Sequence, residues 1–138
     1  MKLTRALAPL ALSLVASAAF TTHSLAAQSS GVYTEAQAKA GGTIFAAQCS
    51  QCHGVKLEGI SGPALAGPDF ISKWSGQTAD DLRDFIGTQM PLTSPGSLKP
   101  AEVLSLLAYI LKENKYPAGE TALTAAKTKT VKIAKQGG

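Results

Sequence analysis

Cys49-Ser50-Gln51-Cys52-His53 constrains this chain more than any other stretch. Two thiols one helical turn apart, followed at once by an imidazole, match the spacing at which two cysteines add to the vinyl groups of a haem while the histidine turns toward the iron. Zinc needs a fourth nitrogen or sulfur ligand, and the only other histidine, His23, lies in a segment that reads as a removable leader. A redox-active or structural disulfide between Cys49 and Cys52 is the remaining alternative, but a thioredoxin-like motif wants a βαβ setting that the pattern does not provide. One covalently attached haem c is therefore the expected cofactor.

The leader itself follows from its residues. Lys2 and Arg5 precede the uncharged run Ala6 to Phe20, which is short of the roughly 20 residues that span a bilayer. Ser24-Leu25-Ala26 then supplies the small residues of a cleavage site. Residues 1–26 are expected to be a signal peptide. The mature protein is expected in the periplasm, with no lipid or membrane anchor. Haem attachment after export agrees with this.

Charge argues against nucleic acid as a partner. The chain carries 13 basic and 9 acidic residues. Lys2 and Arg5 leave with the leader, however, and Lys127, Lys129, Lys132 and Lys135 sit near the end, so the body between is slightly acidic. Residues 121–138, rich in Lys, Thr and Ala with little apolar periodicity, read as a disordered tail. The domain proper is expected over 27–120. With aromatic residues at 6% and many alanines, its core is expected to consist of small side chains that a rigid apolar cofactor completes.

Between the ends lie three helical signals and no convincing strand, which predicts an all-α fold. Thr34-Glu35-Ala36-Gln37 matches a capping box and opens a helix to about Cys49, with Ala38, Gly41 and Phe45 on one side. Thr78 caps a second helix, with Asp80 and Asp81 in its first turn and Leu82, Phe85 and Ile86 on one face. Pro100 starts a third, carrying Val103, Leu106, Leu107 and Ile110 before Asn114 and Pro117 stop it. Gly54 to Pro68 and Gln89 to Lys99 read as loops.

A histidine-held iron has one further axial position. Met90, in Gln89-Met90-Pro91, is the one methionine left after processing and sits on a loop beside proline, which makes it the leading ligand over a core-filling role. Imidazole plus thioether fills the coordination sphere and raises the potential, which suits electron transfer rather than bond-making chemistry. No enzymatic activity is expected. If Met90 dissociates, a ligand-binding or peroxidase-like haem protein is the alternative.

At this point the chain resembles the class I cytochrome c family from about Thr34 to Pro117. The resemblance implies a small fold whose N- and C-terminal helices cross around the haem, with Gly41 and Phe45 against Leu106 and Tyr109. It also implies that the Pro63 carbonyl, in Gly62-Pro63-Ala64-Leu65, accepts a hydrogen bond from His53, and that Trp74 donates its indole N–H to a haem propionate. Lys73-Trp74-Ser75-Gly76-Gln77-Thr78, Met90-Pro91 with Pro95-Gly96-Ser97-Leu98, and Leu107-Ala108-Tyr109-Ile110-Leu111 with Asn114 and Pro117-Ala118-Gly119 look similar to the cytochrome domains that accompany quinoprotein alcohol dehydrogenases. That similarity implies redox protein partners, with a dehydrogenase as donor and a terminal oxidase or cytochrome as acceptor. A monomeric carrier is expected; an electron-transfer subunit of a dehydrogenase complex is the alternative.

Overall fold

A computed structural model describes residues 31–136. The leader expected over 1–26, His23 included, lies outside the described residues. Six helices follow in order: α1 (Glu35–Gln48), α2 (Ser50–His53), α3 (Pro68–Trp74), α4 (Ala79–Gln89), α5 (Pro100–Glu113) and α6 (Ala125–Thr128). The described residues contain no strand, only isolated bridges between Tyr33 and Ala118 and between Thr78 and Lys132. The all-α expectation holds.

α1, α4 and α5 are the three helices the periodicity predicts, and each begins as its residues dictate. The Thr34 hydroxyl accepts from the Gln37 N–H at 3.2 Å. Thr78 makes the same contact with the Asp81 N–H, and the Asp81 carboxylate accepts in return from the Thr78 N–H at 2.7 Å. Pro100 begins α5, where the Glu102 carboxylate accepts from the Lys99 N–H at 2.8 Å. These contacts satisfy N–H groups that a helix start leaves unpaired.

α1 and α5 form the backbone of the fold and cross at Gly41. A Cβ there would overlap the Ser105 carbonyl oxygen, so only glycine lets the helices approach this closely. One turn on, the Phe45 and Tyr109 rings lie 5.4 Å apart between centroids, and Leu106 is buried alongside. The crossing pairs implied by the resemblance are therefore in place.

Three expectations need correction. The core is not built of small side chains: Tyr33, Phe45, Phe70, Trp74 and Tyr116 are all buried among leucines and isoleucines. A low aromatic count hides this, because most of the aromatics in the described chain are spent inside. α3 lies outside the predicted helices and begins where a loop was expected to end; at seven residues it is too short to show a period, with Pro68 at its first turn. The third correction concerns residues 121–136, which are not a disordered tail. Leu123, Thr128 and Ile133 are each at most 1% exposed, and the segment packs into the same core as the domain before it. Its few apolar residues are spaced too irregularly to show a helical or strand pattern, yet each finds a buried place.

Candidate functional site

α1 ends at Gln48, and Cys49 is at once its C-cap and the N-cap of the single turn α2. The His53 N–H donates to the Cys49 carbonyl at 2.9 Å and the Cys52 N–H to the same oxygen at 3.1 Å. Positions three and four apart on such a turn share a face, so Cys49, Cys52 and His53 are presented together. Gly54, with φ +81°, then turns the chain away. The loop that follows folds back on the motif: Gly59 donates to the His53 carbonyl at 2.8 Å, and Gly62 to that of Cys52 at 2.9 Å.

That return brings Pro63 to the histidine. His53 is 8% exposed, and its Nδ1 lies 2.7 Å from the Pro63 carbonyl oxygen. A carbonyl can only accept, so Nδ1 carries the proton; in the neutral ring it is then Nε2 that holds the free lone pair a metal ligand requires. Gly62 is needed for this approach, because a Cβ there would come within 2.9 Å of His53 Cε1.

A cavity of about 470 Å³ opens beside the motif. Cys49, Cys52, His53, Pro63, Trp74 and Met90 all line it, so the six candidate cofactor-binding residues reach one space. Met90 enters as the C-cap of α4, and Trp74 from the end of α3, its ring edge-on to Phe85 at 5.7 Å. Leu82, Ile86, Leu98, Leu106 and Ile110 supply the apolar remainder. The size lies within the range of cofactor pockets, and a mostly apolar wall with a few aimed polar groups is their usual character.

The donor set fits a haem. Both cysteines are free thiols. Burial pushes the Cys49 thiol up, and neighbouring Cys52 adds to the shift; a redox-active thiol pair needs the opposite. Among the described residues no group of three or more His, Cys, Asp or Glu side chains is arranged to hold a metal ion. Two thiols, one correctly tautomeric imidazole and one thioether on a single apolar cavity are what a covalently attached haem asks for.

Asn114 was read as a helix stop and as part of the resemblance, with no role at the site, yet it braces the loop beside it. Buried at the C-cap of α5, its side chain accepts from the Gly67 N–H at 3.1 Å and donates to the Leu65 carbonyl at 2.9 Å and to that of Ile110 at 2.8 Å. It thereby pins the loop that delivers Pro63. Gln37 was likewise read as part of a capping box, but its amide leaves the cap and binds the backbone of Leu123. Neither contact, across a sequence separation of tens of residues, has a local signal.

Residues 36–110 match the family model described as cytochrome c oxidase, cbb3-type, subunit III. No curated protein matches the chain. Among solved structures, a chain of the sulfane dehydrogenase SoxCD from Paracoccus pantotrophus is similar in fold, with a TM-score of 0.57 and 23% identity over 70% of this chain. This chain spans about half of that one, 52%. With more than half of its length matched by the family model, and with the cavity, thiols and imidazole that such a domain uses, the chain belongs to the c-type cytochrome family represented by cbb3-type oxidase subunit III.

Proposed function

We propose that this protein is a periplasmic monohaem cytochrome that passes single electrons between redox proteins and performs no bond-making reaction itself. One observation carries the reading: Cys49, Cys52, His53 and Met90, drawn from different elements, meet on one apolar cavity. Bound there, a haem supplies reversible one-electron chemistry at its iron. The chain's residues do the rest. Cys49 and Cys52 anchor the group, and the Pro63 carbonyl holds the His53 proton on Nδ1 so that Nε2 is directed to the metal. Met90 would offer the iron a second protein donor, a neutral, soft thioether that favours the reduced state. The apolar wall excludes water, and Trp74 offers an indole N–H to an acidic edge of the cofactor.

The resemblance around Trp74, Met90 and α5 supports a quinoprotein dehydrogenase as electron donor and a terminal oxidase as acceptor. Export by the leader supports the periplasm, and among the described residues no helix is long and apolar enough to cross a membrane. A second reading, as a subunit fixed in a dehydrogenase complex, is favoured by Val55, Ile60 and Leu92. These are 72–74% exposed, Val55 and Ile60 follow the Cys52-His53 turn, and Leu92 lines the cavity. Apolar side chains in such a place suit a lasting interface. Copurification at fixed stoichiometry distinguishes a subunit from a carrier.

The ligand assignment is tested by Met90→Ala. The ferric wild type should show the weak near-infrared sulfur-to-iron charge-transfer band and resist carbon monoxide in the ferrous state. The variant should lose the band, bind carbon monoxide and have a lower reduction potential. Ready carbon monoxide binding by the wild type, or survival of the band in the variant, would defeat the assignment.

A further inference from the structure

The candidate axial ligands come from two halves of the molecule. His53 belongs to the half built on the α1–α5 crossing and braced by Asn114. Met90 ends α4, which rests on α5 of that half and is held from its other side by α6. A thioether is a weak, neutral donor, so its retention on a metal depends on how firmly the protein holds it in place.

The segment after Gly119 bonds both to the first half and to the start of α4. On the first half, the Gln37 amide donates to the Leu123 carbonyl at 2.9 Å and accepts from the Leu123 N–H at 2.7 Å. The Lys127 ammonium donates to the Gly31 carbonyl at 2.6 Å. The Tyr116 hydroxyl donates to the Lys132 carbonyl and accepts from the Ala134 N–H, each at 2.9 Å. On the second half, three backbone bonds fasten residues 76–79, just ahead of and at the start of α4. Gly76 donates to Ile133 at 3.1 Å, Ile133 to Gln77 at 2.9 Å, and Ala79 to Val131 at 2.8 Å. The buried Thr128 hydroxyl donates to Asp80 at 2.7 Å, and Arg83 joins Asp80 at 2.6 Å while reaching the Ala125 carbonyl.

We propose that residues 121–136 are a strap that sets the position of α4 relative to the α1–α5 half and thereby keeps Met90 seated at the cavity. The inference rests on the reading of Met90 as an axial ligand. α4 is a rigid element of 11 residues, so fixing its N-terminal end fixes where its C-cap falls. Ile133 and Leu123 are buried at the strap's two attachments, which gives each an apolar anchor as well as hydrogen bonds. Lys129 and Lys132 fall between the anchors and Lys135 just beyond them, all three exposed, which is why the segment looks like a solvated tail in sequence.

The test uses the full-length, haem-loaded protein with Thr128→Val and Ile133→Ala, and a chain ended after Thr130. Hydrogen–deuterium exchange is followed by mass spectrometry, and cyanide binding to the ferric form by absorbance. Exchange in α4 should accelerate by about tenfold or more and cyanide should bind about tenfold more tightly, the scale expected for losing one or two net hydrogen bonds. Exchange in α1 and α5 and the covalently bound haem content should stay unchanged. Unaltered α4 exchange and cyanide affinity in both point variants would overturn the strap, as would equal loss of protection in α1, α4 and α5. Should the shortened chain fail to fold, the point variants decide. A wild type without the sulfur-to-iron band would remove the Met90 assignment alone, and selective loosening of α4 would then still establish the strap as the brace of that helix.

Discussion

Replacing Asn114 by alanine should be among the most damaging single changes outside the haem anchors. Asn114 is 7% exposed, and its side chain makes three hydrogen bonds, at 3.1 Å to Gly67, 2.9 Å to Leu65 and 2.8 Å to Ile110. The Ile110 carbonyl keeps its backbone partner, since the Asn114 N–H donates to it at 3.1 Å. The Gly67 N–H and the Leu65 carbonyl lose theirs; Gly67 is exposed and regains water, whereas Leu65 is half-buried. At about 1 kcal/mol net per bond, with an added penalty for the half-buried carbonyl, the loss should be about 3 kcal/mol. For a domain of this size that corresponds to a fall in Tm on the order of 10 °C or more. Urea unfolding of the haem-loaded protein measures it. Loosening of the loop should also weaken the Pro63 contact to His53, so the reduction potential should shift while Met90→Ala-like carbon monoxide binding stays absent. A loss below about 0.5 kcal/mol would refute the idea that Asn114 holds this loop.

Three further outcomes follow from single contacts. Gly41→Ala should cost about 1–3 kcal/mol by urea unfolding, because its Cβ would press on the Ser105 carbonyl and part α1 from α5. The side-chain bond from Thr78, with the backbone bond from the same residue, holds the Asp81 carboxyl below its usual range. Stability from that capping box is therefore present above about pH 4 and lost as pH falls through the lowered value, and Asp81→Asn should flatten the acid limb of a urea midpoint-against-pH curve. Burial, with Glu35 and Glu113 nearby, pushes Tyr33 up to about 12. Its contribution is complete below about pH 10 and fades as pH rises toward the raised value, so Tyr33→Phe should lessen the alkaline loss of stability in that window, read by thermal melts.

The sequence by itself determined the features that caps, spacing and period along the chain spell out. The CxxCH spacing is local chemistry: three side chains within one turn must share a face, whatever the rest of the chain does. α1, α4 and α5 were legible because caps and apolar residues recur at the helical period. Met90 stood out because the described chain holds no other thioether.

Tertiary structure alone decided the rest. The contact between His53 and Pro63 depends on a loop whose return is set by backbone bonds and by Asn114, which is 47 residues from the Gly67 it holds. The strap depends on Leu123, Thr128 and Ile133 finding buried places on helices that precede them, and on carbonyl and N–H groups at residues 76–79 that every residue type but proline possesses. Backbone partners carry no residue code, and isolated apolar side chains among lysines carry no period. A segment held by those two means reads as tail until the surface it packs on has formed.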